Sequence, residues 1–152
     1  MYATLLDVTK RFPLETLLYA VDDERTGTIT PEGEERIISV IVDASSEADS
    51  YLGQRYATPI DPVPDVLRTK VLDITAHRLL LRRGIRPDTA DESLETQGKA
   101  AILWLRDIAT GKASIPDGSS GGSGSTGTVS SSSGAKITSS PRVFSRGSLK
   151  DF

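Results

Sequence analysis

The chain contains one histidine, His77, the side chain whose unperturbed pKa lies nearest neutral pH. Its nearest acid in the sequence is Asp73, one helical turn earlier. A hydrolytic triad also needs a nucleophile and an orienting group, and no spacing in the sequence supplies them. The chain has no cysteine, so thiolate chemistry and disulfides are excluded. We therefore interpret His77 as a packed or solvated histidine, and we predict no catalytic residue and no enzyme activity.

Two other stretches match ligand-binding loops only in part. Gly122, Gly124 and Gly127 have the G-x-G-x-x-G spacing, but a dinucleotide site needs a strand before it and a helix after it, and neither is predicted. The stretch that begins at Asp22 resembles a calcium loop, yet its twelfth position is Gly33, where a bidentate glutamate belongs. We predict an interhelical turn there, with no metal and no cofactor.

Four arginines, Arg78, Arg82, Arg83 and Arg86, form the main basic cluster. They could bind phosphate, and one interpretation is a DNA-packaging or regulatory helical module that binds DNA through this cluster. Cations also gather at the negative end of a helix dipole without any ligand. The net charge of -3 and the pI near 5.2 are atypical of a general nucleic-acid binder.

These residues must be positioned by helices, because apolar residues recur at helical spacing along the first 116 positions and no convincing strand pattern occurs. A proline-rich stretch over residues 56–64 forms a stiff connector between two long helices. Leu81 and Trp104 are expected in the core. We predict an all-α fold, a small bundle of four to five helices over residues 4–12, 13–21, 31–54, 65–83 and 91–110.

The composition divides the chain into three parts. Residues 1–116 carry 14 basic and 19 acidic residues and form the helical body. In residues 117–136, 16 of the 19 residues before the lysine are Gly, Ser or Thr, which predicts a flexible linker. No stretch approaches the length of about 18 apolar residues that a membrane span requires, so we expect a soluble protein.

Residues 137–152 combine apolar and basic side chains beyond the linker, where the body offers them no local core. Such spacing is typical of a docking peptide, and the expected form is a strand added to a partner. We predict that this arm docks on a neighbouring subunit or a larger partner. Its predicted docking residues are Arg142, Val143, Phe144, Arg146, Leu149 and Phe152.

Three stretches of the body, YATLLDVTKRF, ADSYLGQRYATPIDPVPDVLR and WLRDIATGKASI, resemble the Mu-type Gp36 proteins of tailed phages, a family also classed as unknown-function family 1320. The ending RVFSRGSLKDF is also similar. The most specific feature is the Tyr-x-x-Pro loop followed by Pro-Val-Pro. The extended Ser/Gly linker and the segment 84–95 depart from the family pattern.

The resemblance implies a head-tail connector of the virion neck, made in the host cytoplasm. Such a protein would form a homo-oligomeric ring, expected to contain twelve copies, that binds the portal protein on one side. A tail-side neck or tail-terminator protein would bind the other side. DNA would pass through the channel without specific binding, and an acidic body suits that role because like charges repel.

A closed ring needs a head-to-tail contact between two different patches of each subunit. We expect an acidic patch of Glu32, Glu34 and Glu35 on one subunit to face the arginines of its neighbour. The arginines in question are Arg78, Arg82 and Arg83.

Overall fold

The computed structural model describes residues 1–115, and these residues form five helices and no strand, which confirms the predicted all-α bundle. The predicted linker and docking arm lie outside the described residues. The helices are α1 (Leu5–Arg11), α2 (Leu14–Val21), α3 (Pro31–Leu52), α4 (Asp65–Arg83) and α5 (Ala90–Ala109).

Three helices begin at a threonine cap. The Thr4 hydroxyl accepts from the backbone N–H of Asp7, whose carboxylate accepts from the Thr4 N–H at 2.9 Å. Thr30 and Thr89 cap α3 and α5 in a similar way, satisfying donors that have no partner inside the helix. The predicted helix over residues 31–54 ends two residues early, since Leu52 is its last residue.

Helix α4 is the centre of the bundle and packs against α2, α3 and α5. Residues 71–77 are all buried, so this part of α4 has no solvent-facing side. Three of these buried residues are polar, namely Asp73, Thr75 and His77. The Thr75 hydroxyl donates to the Val71 carbonyl at 2.8 Å within the same helix. Asp73 obtains its partner from outside α4, from Arg11 of α1.

Helices α4 and α5 approach closely where Gly98 faces His77. A Cβ atom placed on Gly98 would lie 2.4 Å from the His77 Cβ and 2.8 Å from its Cγ. A separation under 3 Å cannot be accepted without moving the backbone, because both atoms lie close to the α4 main chain. Gly98 therefore sets the distance between the two helices.

The proline-rich connector is held by two tyrosines. The Tyr2 hydroxyl accepts from the Ile60 N–H at 3.0 Å and donates to the Asp49 carboxylate. Burial and the bond to Asp49 raise the pKa of Tyr2 to about 12. Tyr56 accepts from the Ile115 N–H at 3.2 Å. The connector thus joins the N-terminus, α3 and the last described residue of the chain.

Two predicted core residues are placed differently by the structure. Leu81 is 54 % exposed, whereas the neighbouring Leu79 and Leu80 are buried, so the helices that pack on α4 leave the Leu81 side open. Trp104 is only partly buried and packs against the edge of the core. The prediction for Leu81 was wrong because periodicity does not say where the neighbouring helices end.

We predict that Gly98→Ala lowers the free energy of unfolding by about 1 to 2 kcal/mol, because overpacking against His77 outweighs the helix propensity gained. Urea denaturation followed by circular dichroism measures it. Ser93→Ala, at an exposed position of the same helix, is the control and should stay within about 0.5 kcal/mol of the wild type. A Gly98→Ala protein as stable as the wild type would contradict the close approach.

Candidate functional site

Asp23 is the centre of an ionic cluster at the junction of α2, α3 and α4. Its carboxylate lies 3.3 Å from an Arg36 nitrogen and 2.5 Å from an Arg83 nitrogen. Arg82 donates to both carboxylate oxygens, one of them at 3.0 Å. We call Asp23, Arg36, Arg82 and Arg83 the Asp23 cluster.

The same three arginines also cap the C-terminal end of α2, which has no basic residue in its own last turn. Carbonyl oxygens at a helix end have no intrahelical partner and carry the negative end of the dipole. Arg82, Arg36 and Arg83 donate to successive carbonyls at 3.1, 2.8 and 2.7 Å. These carbonyls belong to Ala20, Val21 and Asp22. The cluster therefore fastens α2 to α3 and α4.

The three cations favour the ionised form of Asp23. Hydrogen bonding to Arg82, with the charges of Arg82, Arg36 and Arg83, lowers the pKa of Asp23 to about 2. The carboxylate is 41 % exposed, so water screens part of this attraction. The lowered pKa nevertheless keeps the Asp23 carboxylate ionised at neutral and mildly acidic pH.

The predicted interhelical turn that follows is confirmed. The Asp22 carboxylate accepts from the backbone N–H groups of Thr26 at 3.0 Å and Gly27 at 2.8 Å, and these bonds lower the pKa of Asp22. Both carboxylate oxygens of Asp22 therefore accept hydrogen bonds from the backbone of the turn. Within residues 1–115, no group of three or more acidic, histidine or cysteine side chains is arranged to hold a metal ion.

The remaining two arginines of the predicted cluster also have carboxylate partners in the same chain. Arg78 binds Glu47 of α3 at 2.7 Å. Arg86 forms a bidentate pair with the buried Asp91, at 2.7 and 3.1 Å, and lies 4.1 Å above the ring of Tyr19. This pair lowers the pKa of Asp91. All four arginines are thus tied to a neighbouring acid.

The predicted acidic patch lies at the N-terminal end of α3, with Glu32 and Glu34 in its first turn. Glu32, Glu34 and Glu35 are all exposed, and none forms an ion pair with another residue among the first 115. Glu32 borders a cavity of about 230 Å³ that Asp23 and Arg36 also line. The pairing of this patch with arginines of a neighbouring subunit stays a prediction. The six predicted docking residues, from Arg142 to Phe152, lie outside the described residues.

His77 is buried, as the packing interpretation predicts, and its Nδ1 atom has no hydrogen-bond partner within residues 1–115. Burial lowers its pKa, although Glu95 opposes the shift. Asp73 does not orient it, because the Asp73 carboxylate pairs with Arg11 at 2.6 Å. This histidine serves the α4–α5 contact.

Sequence reasoning missed the acids that occupy the arginines. Asp23 falls within the predicted interhelical turn, and no sequence pattern distinguishes Glu47 or Asp91 from the other acids. The one available signal was that an acidic pair, Asp22 and Asp23, directly follows a helix that lacks a basic last turn. The partners of that helix end could not be read from spacing, since they come from α3 and α4.

We predict that Asp23→Asn destabilises the fold at neutral pH and weakens its response to acid. The folded-state pKa of about 2 lies below the unfolded value of about 3.9, so the carboxylate stabilises fully above that value and loses its effect as the pH falls towards 2. Urea denaturation between pH 7 and 3 should show the difference from wild type shrinking below about pH 4. Glu24→Gln, a neighbouring change outside the cluster, is the control. A difference that is constant with pH would contradict this assignment.

None of the helices within residues 1–115 has both the length and the apolar character needed to cross a membrane.

The sequence matches the protein family described as bacteriophage Mu, Gp36, over residues 2–132. It is also similar to the Mu-like prophage FluMu protein gp36 of Haemophilus influenzae, with 31 % identity over 156 residues, which covers 100 % of this chain and 98 % of the relative. The chain therefore belongs to the bacteriophage Mu Gp36 family, a family of phage virion-related proteins.

Proposed function

We propose that this protein is a non-catalytic adaptor of the phage neck. In this role, copies of the chain form a ring between the portal protein and a tail-side neck or tail-terminator protein. The ring extends the DNA channel and joins head to tail. Membership of a phage virion-related family supports a structural role, and the internal pairing of the arginine cluster is the observation that favours an adaptor over a DNA-gripping module.

The charge balance of the body agrees with a channel component. Residues 1–115 carry 14 basic and 19 acidic residues, a net charge of -5. Glu47 and Asp91 each balance one of the four arginines, whereas Asp23 is shared by Arg82, Arg83 and Arg36, so the four cations are engaged but not fully neutralised. A body with this net charge and with these cations engaged attracts DNA weakly, so a duplex could pass without being held.

The alternative, a DNA-packaging or regulatory module that binds DNA through residues 78–86, requires those arginines to face phosphate. Arg86 would have to leave both its bidentate partner Asp91 and the ring of Tyr19. Arg82 and Arg83 would have to leave Asp23 and the end of α2. These exchanges weaken the fold, which disfavours the alternative.

We predict that the full-length protein binds duplex DNA weakly, with a shallow salt dependence. Each phosphate neutralised contributes about -0.9 to the slope of log K against log salt, so we expect a slope corresponding to no more than about two phosphates. Fluorescence anisotropy with a labelled duplex between 50 and 200 mM salt measures it, the range over which a true binder loses about a thousandfold or more in affinity. Arg78→Gln should leave the slope unchanged, whereas a steep slope that this change reduces would favour the DNA-binding alternative.

Ring formation needs two different patches that meet head to tail. The exposed Glu32, Glu34 and Glu35 supply one candidate patch. On a neighbouring copy, the arginine side of α4 would supply the other, but its members already have intrachain acids. In any such pair, an arginine would be shared between its intrachain acid and a glutamate of the neighbouring copy, at the exposed rim of the interface. Each pair would contribute about 0 to 1 kcal/mol and would set the register of the two copies more than their affinity.

We predict that deletion of residues 136–152 leaves the body folded but abolishes stable incorporation into particles. The reason is that the apolar anchors of the arm, including Phe144 and Phe152, follow a Gly/Ser-rich stretch that offers them no local core, so we expect them to bind a partner in the particle. Circular dichroism checks the fold, and immunoblotting of purified particles checks incorporation. Replacement of Ser139 and Ser140 by alanine, which keeps the anchors, is the control. Full incorporation of the truncated protein would refute the docking role.

A further inference from the structure

One side of α3 carries a stripe of residues of which only half is covered. Ile38, Val42, Ser45 and Asp49 are spaced by four, three and four positions, so they lie in line along the helix. Tyr2 covers the second half, because its N–H donates to the Ser45 hydroxyl at 3.1 Å and its own hydroxyl donates to Asp49. In the uncovered half, Ile38 is 40 % and Val42 45 % exposed.

Acidic residues border the N-terminal end of this uncovered half. Glu34 and Glu35, one turn before Ile38, are exposed, and neither forms an ion pair with any residue from 1 to 115. The single basic residue of α3, Arg36, is engaged by Asp23 on another side. We call Glu34, Glu35, Ile38 and Val42 the open face of α3. It is apolar along its length and negative at its N-terminal end.

We propose that the open face of α3 binds residues 137–152 of the same chain before assembly. That segment has the complementary composition, since Val143 and Phe144 stand between Arg142 and Arg146. Apolar anchors would cover Ile38 and Val42 while the arginines approach Glu34 and Glu35. Attraction between opposite charges and apolar burial thus favour the same occupant.

The length of the chain outside the described residues agrees with this placement. Ile115 is fixed to Tyr56 of the connector, and the same connector holds Tyr2 through Ile60. The chain therefore leaves the body beside the covered half of the stripe. From the end of α3, Val42 lies about 15 Å back along the helix, at 1.5 Å per residue.

The 21 residues between positions 115 and 137 have a typical span of roughly 25 Å for a Gly/Ser-rich chain. The segment can thus reach the open face without being stretched. A tether of this length gives an effective concentration on the order of millimolar, so at micromolar protein the chain's own segment outcompetes that of a second copy. This intrachain contact does not require ring formation. While it is made, residues 137–152 are not available to other proteins, and an assembly partner must displace them from α3.

Another exposed apolar residue provides a contrast. Leu103 on α5 is 55 % exposed, but it lies among Lys99, Arg106 and Asp107, and Lys99 is paired with Glu95. Positive and negative charges are mixed there, so a basic segment gains no net attraction. The two sites are similar in apolar exposure and differ in charge, so they form a matched pair for a test.

Because the chain has no cysteine, one pair of cysteines at a time can be introduced into the full-length protein. Ser39→Cys, exposed beside the open face, and Ser145→Cys in the segment form the test pair. Ala100→Cys, exposed beside Leu103, with Ser145→Cys forms the control pair. Under mild oxidation at micromolar protein, we expect the intramolecular disulfide of the test pair to form at least about ten times faster than that of the control pair. The reason is that binding raises the local concentration of the introduced thiol at position 145 near position 39. Non-reducing electrophoresis and peptide mass spectrometry identify the product.

Charge reversal then tests recognition. Arg142→Glu with Arg146→Glu should slow the test pair to the control rate, and adding Glu34→Lys with Glu35→Lys should restore it, while circular dichroism confirms that each variant is folded. Equal rates in the two pairs would overturn the proposal. Disulfides that link two chains and increase with protein concentration would also overturn it, because the occupant would then be a second copy. Neither result would bear on the neck role.

Discussion

The enclosure of α4 on every side over residues 71–77 is the constraint on which the rest of the structure depends. A helix with no solvent-facing side must give each buried polar group a partner or accept the cost of leaving it unmatched. Asp73 obtains its partner from Arg11 at the end of α1, which fixes that short helix to the bundle. His77 is accommodated instead by a glycine, Gly98, which lets α5 approach. The positions of α1 and α5 both follow from polar residues of α4.

The C-terminal end of the same helix carries Arg82 and Arg83, and their placement shows how one charge can organise three helices. Arg82 and Arg83 would be ordinary dipole partners of α4 itself. They instead reach the end of α2 and meet Asp23 there, joined by Arg36 from α3. Because the carboxylate and the carbonyls of α2 accept simultaneously, the cations remain in a defined geometry.

This internal use of positive charge leaves the outside of α3 acidic and partly apolar. An exterior of that kind does not attract DNA, and it presents Ile38 and Val42 to other protein segments. The described body is thus suited to contacts with protein, which agrees with membership of a phage virion-related family. The basic, apolar C-terminal segment carries the opposite charge on the same chain.

Sequence alone determined the helical class, the five helices to within two residues at their ends, the interhelical turn at Asp22 and the family. These depend on local signals, such as the threonine caps, the prolines and the apolar spacing, which act within one or two turns. Only the tertiary structure decided that Leu81 is exposed, that α4 is enclosed and that the arginine cluster is bound to Asp23, Glu47 and Asp91. Glu47 lies 31 positions before Arg78, and Asp23 lies 59 positions before Arg82. Spacing along one helix fixes which residues share a face, but which helix covers that face depends on how all five pack together.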